Sequence, residues 1–359
     1  MGAAKAPTGL HYVGRSMPTE LTCVIHVHSV HSDGTGTISE IAAAAGQTGA
    51  DVVVVTDHDD ITASGEAGWH GQTLVVAGHE VSPRHGSHLL ALGTDAAIPH
   101  GGRTSRAVLD DVHGRGGLGF AAHPFSLGGW LLGRAGRAAP YSRLGLPLDG
   151  VEVWSLVTDT LEYLRSPVEL VRFGRDPDAV LTDPPARNLA EWDELGRTRR
   201  LPAIAGLDAH QYGIRRGDRV VVRTMPYART FALLRTHALI DADVVPGRDA
   251  EGATAALLRA LAAGHTFLAR DSLADATGFA FGPGMGDERT FDGPVELIAR
   301  APRACTLRLW HDGDLVTEAA DVTELAHRAT APGVWRATAH LQHRGRERTW
   351  VLTNPAYLR

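Results

Sequence analysis

Seven short apolar runs lie along the first 210 residues, and ionisable residues gather at their ends. The runs are 23–29 (CVIHVHS), 51–57 (DVVVVTD), 73–80 (TLVVAGHE), 88–93 (HLLALG), 117–123 (GLGFAAH), 151–155 (VEVWS) and 202–208 (PAIAGLD). Near-continuous apolar stretches of roughly four to eight residues predict strands buried on both faces. Helices are predicted over 37–48, 104–115 and 187–197, and the first opens with Thr37-x-x-Glu40, a capping-box signature. Such alternation predicts a parallel sheet or a β/α barrel.

The stretch 125–149 is rich in Gly, Arg and Leu and predicts a long loop over the barrel mouth; 166–185 reads as a second insertion. A further helix is predicted over 250–263, stopped by Gly264. Beyond about residue 271 the pattern changes to short strands at 295–299, 306–310, 334–340 and 349–353, separated by the turn signals GPGMGD, FDGP, WHDGD and APGV. The expected organisation is a disordered or loosely attached tail over 1–20, a catalytic α/β unit over 21–270 and a small antiparallel β domain over 271–359.

Composition narrows the function. The net charge of −6 and 43% hydrophobic content describe an ordinary globular chain with no call for a nucleic-acid polymer or a membrane as partner. A small-molecule substrate is expected instead. No run is long enough to span a bilayer and no secretory signal is read, so a cytoplasmic location is expected. Cys23 and Cys305 are too few and too far apart in sequence to suggest a disulfide framework. Lys5 is the only lysine and sits in the tail, which disfavours lysine-based covalent catalysis. Nothing in the sequence specifies an oligomeric state.

The unusual count is histidine, at 19. His26 and His28 stand two apart in the first run, and alternation along a strand would turn both imidazoles to one face. Asp33 follows before a turn at Gly34; then come Asp57-His58, His79-Glu80, His88, His123-Pro124 and Asp208-Ala209-His210. Burying so many ionisable groups without a partner is costly. Divalent metals supply that partner, and mixed imidazole and carboxylate donors suit Zn, Mn or Fe. Asp57 reads as an acceptor that orients a ligand histidine. His31 and His85 could line the pocket, and Arg84, Arg103, Arg134 and Arg137 could recognise phosphate near its mouth. Trp130 and Tyr141 could stack on an aromatic group or anchor the loop.

These pieces, in this order, resemble the polymerase and histidinol phosphatase (PHP) family of metal-dependent hydrolases: HVHSVHSDG (26–34), TDHD (56–59), GHEVS (78–82), HLLALG (88–93), AHP (122–124) and GLDAH (206–210). VEVWS (151–155), NLAEWDEL (188–195), LLRALAAGHTF (257–267), DGD (312–314) and TNPAYLR (353–359) are similar to its CehA/McbA-like group. The resemblance implies a distorted seven-stranded β/α barrel followed by a small β domain, with two or three divalent ions. It implies that His26, His28, Glu80 and Asp208 hold the first ion, that Glu80 bridges to a second held by His88 and His123, and that Asp33, His58 and His210 hold the third.

Two ions about 3.5–4 Å apart would generate a bridging hydroxide at neutral pH, with Asp208 or His210 relaying a proton to the leaving group. The expected activity is that of a phosphoesterase acting on a small phosphate ester. The alternatives are a carbamate, ester or amide hydrolase and a non-catalytic metal-binding module.

Overall fold

The computed structural model describes residues 18–83, 87–132, 137, 145–217 and 219–359. The seven apolar runs all form strands: β1 (Thr19–Val27), β2 (Val52–His58), β3 (Thr73–Val81), β4 (Leu89–Leu92), β5 (Leu118–Ala121), β6 (Gly150–Ser155) and β7 (Ala203–Gly206). β1, β2 and β3 pair in parallel, as do β5, β6 and β7. β4 runs antiparallel to both β3 and β5, so the array is mixed rather than all-parallel. This reversal has a consequence for the site. The start of β4 lies beside the end of β3, with Val81 opposite Leu89, and His88 is thereby delivered next to Glu80.

The expected seven-stranded barrel is not shown: pairing does not close it. The chain beyond β7 returns to β1 through three backbone hydrogen bonds, Leu207 N to Ile25 O, Ala209 N to His26 O and His28 N to Ala209 O. Only the single bridge Val27–Ala209 is formed there. The reason is competition for one strand. β8 (Arg235–Ile240) pairs with β1 over Thr19–Cys23, which leaves β7 only the far end of β1.

Helices cover the strands. α1 (Ile38–Gln47) has the reciprocal cap read in the sequence: Glu40 N donates to Thr37 Oγ1 at 3.2 Å and Thr37 N donates to Glu40 Oε2 at 2.9 Å. α2 (Ser105–Gly114) follows β4. α3 (Leu156–Tyr163) directly follows β6, and the expected insertion over 166–185 is itself helical, with α4 at Pro167–Arg175 and a short turn at Pro177–Val180. α5 spans Ala186–Thr198, and α6 spans Ala250–Ala263, ending at Gly264 with a φ of 69°. That left-handed conformation is one glycine adopts without a Cβ clash. Among the described residues no helix is long and apolar enough to cross a membrane.

The sheet continues into the last third of the chain. β9 (Thr266–Ala269) pairs with β8 and also with β13 (Arg346–Thr353), so one 17-stranded sheet runs through the molecule. Between them lie β10 (Val295–His311), β11 (Asp314–Ala329) and β12 (Gly333–His343), all antiparallel. The two strands expected at 295–299 and 306–310 are one 17-residue strand with a register shift between Arg300 and Cys305. β11 carried no apolar signal because it is an edge strand with few buried positions, dressed with Glu318, Asp321 and Glu324. Charge on an edge discourages pairing with another chain. This end of the molecule has its own core, built on Phe267, Phe281, Leu297, Leu307, Trp335 and Trp350. Cys23 and Cys305 are both buried free thiols.

Candidate metal centre

The ends of β1, β2, β3 and β7, the start of β4 and the turn after β5 converge on Glu80. This carboxylate is buried, and five imidazoles surround it. Its Oε2 lies 3.2 Å from His26 Nε2, 3.4 Å from His28 Nε2 and 3.1 Å from His58 Nδ1. Its Oε1 lies 2.7 Å from His88 Nδ1 and 3.4 Å from His123 Nε2. Asp208 Oδ1 is 3.7 Å from His26 Nε2 and 3.5 Å from His28 Nε2. Asp33, half exposed, faces His210 Nε2 at 3.2 Å and His58 Nε2 at 3.7 Å.

Four groups of side chains present donor atoms within 4.8 Å of one another: His28, Asp33, His58 and His210; His26, His28 and Asp208; His26, Glu80 and His123; His58, Glu80 and His88. All nine residues singled out in the sequence as candidate ligands are brought together. The groups overlap, because His26, His28, His58 and Glu80 each belong to two of them.

The route by which some of these residues arrive differs from the expected strand alternation. His26 has a φ of 68°, and the register between β1 and β2 shifts between Ile25 and Val27. The bulge, not simple alternation, aims both His26 and His28 inward. Asp208 and His210 lie beyond β7, and Asp208 has a φ of 52°; His123, beyond β5, has a φ of 31°. Non-glycine residues at positive φ are strained by about 1–3 kcal/mol each, and such strain concentrates at functional sites.

Electrostatics favour cations here. Burial alone would raise the Glu80 carboxyl, but His26, then hydrogen bonds to His123, His26 and His88, hold it well below the usual carboxylate range. Burial likewise opposes ionisation of Asp208, yet His28, His26 and His210 hold it well below its ordinary value. Burial opposes protonation of His123, and Glu80 nevertheless raises that ring to about 9. Burial dominates at His28 and pushes it down to about 4. The carboxylates thus draw protons onto some rings while burial strips them from another. Divalent ions would replace those protons.

Further observations fit the donor set to metal. Both ring nitrogens of His28 and Nδ1 of His123 are buried without a hydrogen-bond partner among the described residues; a buried polar atom normally has one. His210 Nδ1 lies 2.9 Å from Asp208 O. Donation there leaves the Nε2 lone pair facing the cluster, the usual arrangement for a ligand histidine.

One functional residue escaped the sequence reading. Glu152, in the middle of the apolar run of β6, is buried at 1% exposure. Both its oxygens lie 3.2 Å from His26 Nδ1, and His123 N donates to Oε2 at 2.7 Å. It orients two candidate ligands at once. The available signal was a lone carboxylate inside a run of otherwise buried apolar residues. Thr158 supports Asp208 from the other side, donating to its Oδ2 at 2.7 Å.

Other expectations are relocated. Asp57 accepts from Ser29 N, Ser29 Oγ and Ser32 Oγ at 2.6–2.7 Å. It therefore pins the turn leading to Asp33 instead of orienting a histidine. His31 Nε2 faces Glu66 at 3.4 Å and belongs to none of the four groups. Arg103 is held by Asp111, Pro99 O and Ala107 O. Arg137 is exposed, and Trp130 is 56% exposed. Arg84, His85, Arg134 and Tyr141 lie outside the described residues.

No family model matches the sequence, and no curated protein matches it. Solved structures similar to the chain include a two-domain protein from Bacteroides vulgatus containing a predicted PHP-like metal-dependent phosphoesterase. It is 15% identical over 98% of this chain and 100% of that one, with a TM-score of 0.43. A putative metal-dependent phosphoesterase from Bifidobacterium adolescentis is 17% identical over 60% of this chain and 96% of that one, TM-score 0.35. An amidohydrolase from Chromobacterium violaceum, with bound sulfate and no metal, is 17% identical over 52% of this chain and 87% of that one, TM-score 0.31.

Proposed function

We propose that this protein is a metal-dependent hydrolase acting on a small ester, with phosphate esters as the leading substrate class. The observation that carries the reading is the four overlapping donor groups gathered around Glu80. His26, His28, Glu80 and Asp208 would hold one ion, Glu80 with His88 and His123 a second, and Asp33, His58 and His210 a third. Mn, Zn and Fe all accept such mixed donors. When bound, divalent ions supply a Lewis acid and activate water for attack on an electrophilic phosphorus or carbonyl carbon.

The chain's own residues supply orientation and proton handling. Glu152 fixes His26, and Thr158 fixes Asp208. Asp208 and His210 line the small cavity at the cluster, about 190 Å³, together with His58, Glu80, His88 and His123. From there either could pass a proton to a departing oxygen. The size of the cavity fits a small scissile group.

A second reading, hydrolysis of a carbamate, ester or amide, has one observation in its favour. The non-ligand wall of the same cavity is Gly129, Val157, Thr158, Leu161 and Tyr212, with no Arg or Lys among the described lining residues. A phosphate is usually met by guanidinium or ammonium groups.

The test is metal content measured together with turnover. The protein, purified without chelator, is expected to carry two or three divalent ions per chain and to hydrolyse 4-nitrophenyl phosphate, bis(4-nitrophenyl) phosphate or a 1-naphthyl carbamate. His26→Ala and Asp208→Ala are expected to lose both metal and turnover. A folded protein that binds no metal, even with Mn or Zn added, would sink the reading. Metal binding without turnover of any of the three would promote a non-catalytic metal-binding module.

A further inference from the structure

Beside the metal cavity lies a second, larger cavity of about 640 Å³, and the two share Val157, Leu161 and Tyr212 as a common wall. The volume falls within the roughly 300–1,000 Å³ typical of sites for drug-sized ligands. Its lining is apolar: besides the shared residues it is built by Leu170 and Phe173 of α4 and by Met225. Phe173 is 1% exposed and Met225 6% exposed, so the floor is anchored in the core. Arg175 and Arg223 stand on the lining as exposed side chains. Neither has an ion-pair partner among the described residues.

The wall is also firmly built. α4 is capped reciprocally, Glu169 N donating to Ser166 Oγ and Ser166 N to Glu169 Oε2. Tyr212 is tied to the next turn by Thr224, whose N and Oγ1 both donate to Tyr212 O at 2.7 and 2.9 Å. The Tyr212 ring stacks on His210 with centroids 4.9 Å apart and planes 7° apart. One side chain therefore touches a candidate metal ligand and lines both cavities.

We infer that this cavity is a specificity subsite that receives an apolar organic group of the substrate, with Arg175 and Arg223 meeting a polar or anionic end of it. The inference rests on the hydrolase reading above for the position of the scissile bond. It adds the class of substrate: an amphipathic ester, one part at the metal cluster and an apolar arm between α3 and α4. A purely polar phosphate ester would leave Leu161 and Leu170 without an apolar partner in this cavity.

The experiment uses the full metal-loaded chain and two diesters, methyl 4-nitrophenyl phosphate and octyl 4-nitrophenyl phosphate. A fully buried methylene contributes about fourfold in affinity, so kcat/KM for the octyl ester is expected to exceed that for the methyl ester by at least about tenfold. Leu170→Asp is expected to bring that ratio close to one. A readout independent of turnover is binding of 1-anilinonaphthalene-8-sulfonate, an apolar ring system with an anionic group. Leu170→Asp and the surface variant Arg223→Ala are each expected to weaken it by at least about fivefold. A ratio near one in the unmodified protein, with dye binding unmoved in both variants, overturns the subsite. Failure to hydrolyse either diester, with dye binding still lost in both variants, counts against the hydrolase reading while the subsite stands.

Discussion

Both carboxylate oxygens of Glu152 lie 3.2 Å from Nδ1 of His26, and one of them also accepts the backbone N–H of His123. One buried side chain on β6 thereby fixes two candidate ligands that reach the centre from β1 and from the turn after β5. Glu152→Gln keeps the shape but replaces one acceptor with a donor. Loss of such a supporting partner typically costs about 10–100-fold in metal affinity. That range is expected in a competition titration against a chelator, with the far-ultraviolet circular dichroism unchanged. Equal affinity in the variant would reduce Glu152 to a packing residue.

Gly206 makes room for that carboxylate. A Cβ at this position would overlap Glu152 Oε1 and lie 3.1 Å from the His26 Cβ. Gly206→Ala is therefore expected to displace Glu152, to lower stability by about 1–3 kcal/mol as overpacking does, and to reduce bound metal. Thermal melts and metal analysis of the same preparation check both parts. A variant with wild-type melting temperature and metal content would show that Glu152 can move without consequence.

Asp193 on α5 and Arg336 on β12 form a two-pronged ion pair with both bonds at 2.8 Å, nearly buried on both sides. Arg336 also lies 4.8 Å over the Trp310 ring. Asp193→Ala leaves a buried guanidinium unpaired, which costs about 3–5 kcal/mol. Urea denaturation is expected to show that loss. Replacing both partners by apolar residues of similar volume is expected to recover most of it, and a double variant as unstable as the single one would contradict this account.

His237 gives the fold a pH dependence of defined sign. Burial opposes its protonation, but Asp271 and Glu20 raise it from 6.5 to about 9, with Nδ1 2.7 Å from Glu20 Oε1 and Nε2 3.1 Å from Asp271 Oδ2. The folded state holds the proton more tightly than the unfolded chain. The contribution, on the order of 3 kcal/mol, is complete below about pH 6.5 and is lost as pH rises to about 9. Melting temperature is expected to fall across that window in the wild type. His237→Gln is expected to make that fall shallower, and an unchanged slope would assign the dependence elsewhere.

The sequence by itself determined the strands of the first 210 residues, because buried strands must be apolar throughout and their ionisable ends stand out against that background. It also singled out the nine candidate ligands, partly because ionisable residues such as Glu80 and His123 stand at the ends of apolar runs and partly because their motifs, in order, resemble those of a known hydrolase family. The tertiary structure decided what depends on contacts distant in sequence. Glu152 was hidden because its partners are 126 and 29 residues away. The reversed β4, and the sharing of β1 between β8 and the chain beyond β7, follow from pairing choices that periodicity does not encode. The positive φ values at His26, His123 and Asp208 are held because the surrounding strands fix the backbone on both sides of the bulge or turn. Local sequence offers no trace of such constraint, and it is this constraint that turns the imidazoles and carboxylates toward one another.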